Sequence, residues 1–378
     1  MTRRSILFVS LMNGAAWGGS EELWSKAAAR AASRGARVAC AVFRWPEKAA
    51  RLEALRGAGC EIFELPNGGR ARGNPIEKLE YETWTRLQRR RALGRLPAEQ
   101  FDHVVVNQGG CQEVAARELA PFTGRLRWFA LTYHSLADGL VLSRARAARL
   151  RDLVQRASAN LFASARIAPV LEGLLGISIP RARVFVNPIG FEVETPPPPL
   201  PPAPPYRLAT LSALQLRVKA QDRLVEALAR PEWRDRPVEL EIWGDGPDAP
   251  ALRALVERLG LSSRVRLMGH ADDPRAALVR AHLLVQASRV EAVGISVMEA
   301  MALGRPVLVS RVGDMPLWVE HGVGGIVCES ADDVAVGLEE AWARRADWAR
   351  MGAAAHLAYR ARCPRSAVDE FLDSLEAA

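Results

Sequence analysis

The sequence has little that would announce several common classes of protein. Its five cysteines, at 40, 60, 111, 328 and 363, form no C-x-x-C pair and leave one over. That excludes a disulfide scaffold and fits a reducing compartment. Most sit in apolar, strand-like runs such as RVACAVF, where a thiol behaves as a small hydrophobe. No apolar run approaches the roughly 20 residues needed to cross a bilayer, so a membrane-spanning protein is not expected. H-E-x-x-H, Cys/His clusters with zinc spacing and a G-x-S-x-G elbow are all absent. There is no repeat of solenoid length, and the basic stretches are not interleaved with aromatics as in a recognisable RNA module.

What is present is a soluble globular composition, 49% hydrophobic and 25% charged over 378 residues, long enough for two domains. The net charge of +8 attracts anions, whether phosphate, nucleic acid or an acidic membrane surface. The excess is concentrated in TRLQRRRALGRL (85–96) and SRARAARLRDLVQR (143–156), each of which also reads as a solvated helix face.

Short apolar runs alternate with helix-period segments, the signature of parallel sheets covered by helices. In the first half the strand candidates are SILFVS, RVACAVF, CEIFEL, HVVVNQ, RWFALTYH, NLFASA and RVFVNP. The N-terminal stretch imitates a secretory signal, but Asn13 and Gly14 break its apolar run, and SILFVS reads as a first buried strand. After ETPPPPLPPAPPY (194–206) the alternation restarts with RLATLSA, VELEIWG, RVRLMGH, HLLVQAS, RPVLVS and GGIVCE. Polyproline joins neither a helix nor a central strand, so this run reads as a stiff spacer. The expected architecture is α/β, two doubly wound Rossmann-like domains facing across a cleft: residues 1–193, a linker at 194–206, and 207–378, the last helix packing back on the N-terminal domain. Ligands of such sheets bind at the carboxyl ends of the strands.

One stretch, SRVEAVGISVMEAMALGRP (288–306), carries two glutamates among apolar and small residues. From Gly294 to Leu303 it reads as a helix buried on most sides, so the Glu299 carboxylate needs a partner, either a basic side chain or the hydroxyls of a ligand such as a ribose. Glu291 lies at the mouth of the preceding strand, where it can meet a second polyol. The helix N-terminus between them, at Gly294, Ile295 and Ser296, offers N–H groups to a phosphate. Arg217 and Lys219, ahead of a helix in LQLRVKAQDRLVEAL, would neutralise a diphosphate.

Glu291, Gly294 and Glu299, followed by EAMALGRPVLVSRVGDMPLWVEHGVGGIV, resemble the Glu-x7-Glu region of the retaining GT-B glycosyltransferases, in particular family 4 (group 1). The resemblance covers most of the C-terminal half and a few loops of the N-terminal half. It implies that Glu291 contacts the donor sugar and Glu299 the nucleotide ribose. WGGSEELW (17–24) is similar to the family's glycine-rich loop, with Gly18 and Gly19 near the donor diphosphate and Ser20 able to cap the following helix; it lacks G-x-G-x-x-G spacing. His134, directly after a strand, matches the histidine near the donor sugar. WGDGPDAP (243–250) resembles the Gly-x-Gly-Pro loop, read here as a tight turn. The family's usual arginine upstream of Lys219 is missing, and Arg217 is the candidate to replace it. Trp17 and Trp45 are acceptor-side candidates for stacking on a sugar ring.

The resemblance implies retaining transfer of a hexosyl group from a UDP- or GDP-linked sugar to a glycan, lipid-linked or small-molecule hydroxyl. No Asp-x-Asp is present, and neither cofactor nor catalytic metal is expected. The expected location is cytoplasmic, with peripheral contact between the basic helix around Arg89–Arg91 and the anionic inner membrane surface. Two rival readings stand beside it: a GT-B-shaped sugar-nucleotide epimerase, which fits the same donor pocket, and a non-catalytic nucleotide or polyanion binder.

Overall fold

A computed structural model describes residues 4–12, 17–66, 75–111, 117, 119–135 and 139–376, with backbone alone for 75–83. Asn13 and Gly14 lie outside the described residues. The chain divides into two compact units, 1–188 with 365–378, and 189–364.

The first unit holds a parallel sheet of β1 (Ser5–Ser10), β2 (Arg37–Phe43), β3 (Glu61–Leu65), β4 (His103–Asn107), β5 (Phe129–Tyr133), β6 (Ala159–Phe162) and β7 (Ala182–Val184). Their order is β3-β2-β1-β4-β5-β6-β7. SILFVS is therefore a central strand, and all six of its residues are buried. Strands covered by helices on both faces read as unbroken apolar runs, which is why this one imitates a signal peptide. The connecting helices are α1 (Gly19–Ser33), α2 (Ala49–Gly57), α3 (Pro75–Arg95), α4 (Leu119–Thr123), α5 (Arg144–Arg156) and α6 (Ile167–Leu175).

The second unit has β8 (Tyr206–Leu211), β9 (Val238–Trp243), β10 (Val265–Gly269), β11 (Leu283–Gln286), β12 (Val307–Ser310) and β13 (Gly325–Cys328), parallel in the order β10-β9-β8-β11-β12-β13. Its helices are α7 (Leu216–Lys219), α8 (Gln221–Leu228), α9 (Ala249–Arg258), α10 (Pro274–Val279), α11 (Ile295–Ala302), α12 (Met315–Trp318), α13 (Val334–Ala343) and α14 (Trp348–Arg362). Among the described residues no helix is long and apolar enough to cross a membrane.

The last helix, α15 (Ala367–Glu376), belongs to the first unit. Val368, Phe371, Leu372 and Leu375 fall at i, i+3, i+4 and i+7 and are all buried. Phe371 meets Phe185 edge-on at 5.5 Å, and Asp369 accepts from Arg30 of α1 and from Arg34 just after it, at 2.9 and 2.8 Å.

The proline run departs from the spacer expected of it: it is part of the second unit. Proline lacks an N–H, but its carbonyl still accepts. The guanidinium of Arg305, fully buried, donates to the carbonyls of Pro198 and Pro199 at 3.0 and 2.9 Å, and to those of Leu278 and Val279 at the end of α10 at 3.2 Å each. Burial draws the Arg305 pKa down to about 10, so the group remains charged at neutral pH. Close by, His282 Nδ1 accepts the Arg207 N–H at 2.9 Å, which leaves Nε2–H to donate to the Pro201 carbonyl at 3.0 Å.

Arg305→Ala removes a buried guanidinium that four carbonyls share. It should lower unfolding free energy by about 3 kcal/mol or more and speed proteolysis within 194–206, both measurable by denaturant titration and limited digestion.

Candidate active site

In the second sheet the chain runs from β8 outward to β9 and β10, then returns to the other side of β8 as β11. The loops leaving the carboxyl ends of β8 and β11 therefore diverge from adjacent strands, and a doubly wound sheet opens its binding crevice at such a switch point. The two loops are stitched together there. The N–H groups of Arg289 and Val290 both donate to the Val218 carbonyl, at 2.8 and 3.1 Å. The Arg289 guanidinium donates to the Leu216 carbonyl at 2.9 Å and pairs with Asp332 at 3.1 Å.

This lacing sets Lys219 against Glu291, with Nζ 2.6 Å from Oε2 and both side chains less than one-fifth exposed. Glu291 Oε1 also accepts the N–H of Ala292 at 3.2 Å. Behind it, Gly313 has φ 57°, and a Cβ there would come within 2.3 Å of the Glu291 carbonyl oxygen. Ala220, which ends α7, holds φ 53°, an uncommon conformation for alanine that turns the chain sharply from Lys219 into α8. Arg217 is exposed on α7 and has no ion pair among the described residues.

Gly294 caps α11 with φ 77°, and a Cβ there would stand 2.8 Å from Met315 Cγ. Ile295 and Ser296, half-buried, begin the helix, where the first N–H groups have no intrahelical acceptor. Val297, Met298, Ala300 and Met301 are essentially inaccessible, so α11 is buried all round as its sequence implies. Glu299 is buried on it, and Oε1 accepts the Gly190 N–H at 3.2 Å, a backbone partner that neither expected alternative supplied. In the Gly-x-Gly-Pro turn, a Cβ on Gly244 or Gly246 would overlap the carbonyl oxygens of Ser212 or Leu214, so these glycines let the loop after β9 lie directly on the loop after β8. Asp248 completes the contact, accepting the Leu216 N–H at 2.8 Å.

In the first unit the switch point lies between β1 and β4. One expectation about the glycine-rich loop is corrected here. Gly18, not Ser20, is the N-cap of α1, and the Ser20 hydroxyl lies inside the first turn, 2.9 Å from Met12 Sδ. Gly18 is extended, so its dihedrals suit any residue; Gly19 is the first residue of the helix. Trp17 donates its indole N–H to Glu22 at 2.7 Å, and the Arg51 guanidinium lies 4.6 Å over its ring. Trp45 is half-buried, with its indole N–H enclosed and without an acceptor among the described residues.

Glu21 is wholly buried and pairs with the equally buried Lys48 at 2.6 Å. Its other oxygen accepts from Ser10 at 2.7 Å, from Trp24, and from Asn107 Nδ2 at 3.5 Å. Asn107 Oδ1 in turn lies 3.0 Å from both Thr132 Oγ1 and His134 Nε2. Burial drives the His134 pKa down to about 3, against a smaller opposing effect of the Asn187 side chain. The imidazole is therefore neutral throughout the physiological range.

Thus the structure joins Lys219 to Glu291 and places Gly294, Ile295, Ser296 and Glu299 on the helix that follows; Gly18, Gly19, Trp17 and His134 lie at the crevice end of the first sheet, and Arg217 stands apart on the surface. Sequence reasoning missed Arg289, Gly313, Glu21, Lys48 and Asn107. The available signal was position for Arg289, Gly313 and Asn107, which lie at or just beyond a strand end at a switch point or in a loop clamped against one; Glu21 and Lys48 gave no such signal. Among the described residues no group of three or more His, Cys, Asp or Glu side chains is placed to hold a metal ion.

Comparison with known proteins gives these features a class. Residues 205–344 match the family described as glycosyl transferases group 1. N-acetyl-alpha-D-glucosaminyl L-malate synthase of Bacillus anthracis is 32% identical over 120 residues, 32% of this chain and 31% of that protein. D-inositol 3-phosphate glycosyltransferase of Thermobifida fusca is 36% identical over 129 residues, 31% of this chain and 29% of that one. The match thus spans less than a third of the length of these relatives. The fold extends further: Anabaena Alr3699/HepE in complex with UDP-glucose superposes with a TM-score of 0.73 over 99% of this chain and 98% of that one, at 19% identity. Sucrose-phosphate synthase of Thermosynechococcus elongatus superposes at 0.75 over 99% and 98%, at 18% identity. The architecture is that of the GT-B glycosyltransferases. The match to group 1 lies wholly within the second unit.

Because the folded-state pKa of His134 lies below its unfolded value, the unfolded chain takes up the proton first as pH falls. Its contribution to stability is complete above about pH 6.5 and is lost toward pH 3, with a slope of at most about 1.4 kcal/mol per pH unit. Burial shifts His103 and His282 in the same direction. The difference between wild type and His134→Gln across a pH series of denaturation curves isolates this contribution, and the variant should show the shallower acid slope.

Proposed function

We propose that the chain transfers a hexosyl group from a nucleotide sugar to a hydroxyl acceptor with retention of configuration and without a catalytic metal, as family 4 enzymes do. The observation that carries this reading is the Lys219–Glu291 pair, fixed at the β8/β11 switch point directly ahead of the α11 N-terminus. An ammonium has three donors, so Lys219 can keep Glu291 and still meet a diphosphate oxygen. Glu291 faces the donor sugar, the first amides of α11 face a phosphate, and Glu299 takes the ribose. The UDP-glucose complex of Anabaena Alr3699/HepE supports a UDP-linked donor ahead of a GDP-linked one.

In the front-face path the sugar–phosphate bond loosens to an oxocarbenium-like centre and the acceptor attacks from the side the phosphate leaves. The departing phosphate takes the acceptor proton, so no carboxylate nucleophile is needed, in contrast to retaining glycosidases. The protein's share is charge stabilisation by Lys219, with Arg217 available at the surface, and by helix N-termini. The neutral His134 serves as a hydrogen-bonding group toward the sugar rather than as a proton donor. The acceptor is a glycan, a small molecule or a lipid-linked sugar, the last reached through an anionic membrane surface facing the arginines of α3.

Thermal shift against UDP, GDP and ADP and their sugar conjugates, with and without EDTA, is the direct test. Stabilisation by a UDP conjugate that survives EDTA is expected, and no shift with any nucleotide would overturn the reading. Lys219→Ala should lower turnover about 100-fold or more with little loss of melting temperature. Glu299→Ala should weaken nucleotide affinity at least about tenfold, the worth of one charge-assisted hydrogen bond.

A further inference from the structure

The first unit contains a continuous line of buried polar groups, Lys48, Glu21, Asn107 and His134, in which each member restricts the next. Lys48 and Glu21 are both inaccessible to solvent and 2.6 Å apart. Two charges so enclosed persist only as a pair, so Glu21 is ionised and can only accept. Ser10 and Trp24 already donate to the oxygen that faces Asn107. Asn107 must therefore turn its NH2 toward Glu21, at 3.5 Å, and its carbonyl oxygen the other way. That oxygen accepts from Thr132 and lies 3.0 Å from His134 Nε2. A carbonyl oxygen has no proton to give, so the proton in that contact belongs to His134.

From this we infer that Asn107 is a positioning residue: with the Glu21–Lys48 pair behind it, it holds His134 as the Nε2–H tautomer and leaves Nδ1 as a bare lone pair. The other face of the ring agrees. His134 Nδ1 and the neighbouring Asn187 Oδ1 are both buried and have no donor among the described residues. With the proton held at Nε2, Nδ1 is an acceptor, and a hydroxyl group donating to it satisfies it. His134 is thereby committed to receive a hydrogen bond. The depressed histidine pKa is consistent with this, since the ring carries one proton and its position is already assigned. The tautomer rests on the unit's own hydrogen bonds; its use toward a sugar hydroxyl rests on the transferase reading above.

The test uses the full chain labelled with 13C and 15N in histidine, the His134 resonances being identified by their loss in His134→Gln. Carbon and nitrogen shifts between pH 5 and 8 should report a neutral Nε2–H ring with a slowly exchanging proton. Asn107→Leu should release it, giving a detectable Nδ1–H population and fast exchange. The charge swap Glu21→Gln with Asn107→Asp returns an acceptor to Nε2 and keeps one carboxylate near Lys48. It should restore the single tautomer and raise the pH at which His134 protonates. A wild-type ring that is Nδ1–H or mixed would overturn the proposal, as would an Asn107→Leu ring indistinguishable from wild type. If Asn107→Leu does not fold, an Nδ1–H ring in the swap variant overturns it equally.

None of these spectra depends on catalysis, so they separate this proposal from the transferase reading. Where UDP-glucose turnover is measured, Asn107→Leu should lower kcat about tenfold with donor Kd unchanged, corresponding to about 1.4 kcal/mol. An equal kcat would leave the tautomer real and remove its role at the sugar.

Discussion

Everything at the second unit's crevice depends on β11 lying beside β8 rather than beside β10. Parallel strands require crossovers, and when the chain reverses its direction of winding, two neighbouring strands send their loops to opposite faces. The gap this leaves is a property of topology. What this sequence adds is closure of the gap by backbone: Val218 offers its carbonyl to two consecutive amides of the β11 loop, and Gly313 lets another strand-end loop press on Glu291. Lys219 and Glu291 are then brought together by main-chain geometry, and their attraction refines a contact already made.

The two ion pairs at the two crevices differ in kind. Glu21–Lys48 is sealed from solvent, whereas Lys219–Glu291 remains partly open. A sealed pair adds little net stability over an apolar pair of equal volume, because desolvation offsets attraction. Its physical effect is directional: an ionised carboxylate with fixed donors dictates which end of an amide faces it. The open pair is electrostatically softer, and a polyanion can share its cation without exposing a buried charge.

The strands were legible because each fully covered strand is a short apolar run, and α11 because its apolar residues leave no polar face. Glu291, Gly294 and Glu299 were legible because charge and glycine are conspicuous in such surroundings. The tautomer line was not, since Glu21 reads as an ordinary acid in the first turn of a helix, and only the register of β1 against β4 brings Ser10 and Asn107 to it. Nor was the fate of the proline run. Polyproline stiffness is local and visible, but capture of its carbonyls by Arg305 requires a guanidinium that the sequence cannot distinguish from its many exposed arginines. The Ser20 cap failed for a similar reason: the helix begins two residues earlier, at Gly19, and its first turn is fixed by the burial of Glu21.

The placement of α15 orders events during synthesis. The first unit consists of residues 1–188 and 365–378, with the whole second unit encoded between them. When the ribosome has finished β7, the seven-stranded sheet is complete, but the surfaces of α1 and Phe185 that will take Phe371, Leu372 and Leu375 have nothing to cover them. The second unit can form while the first still waits. The apolar stripe that closes the amino-terminal sheet leaves the exit tunnel only after the whole second unit, so a nascent chain truncated before residue 367 carries that uncovered surface however well its other half has folded.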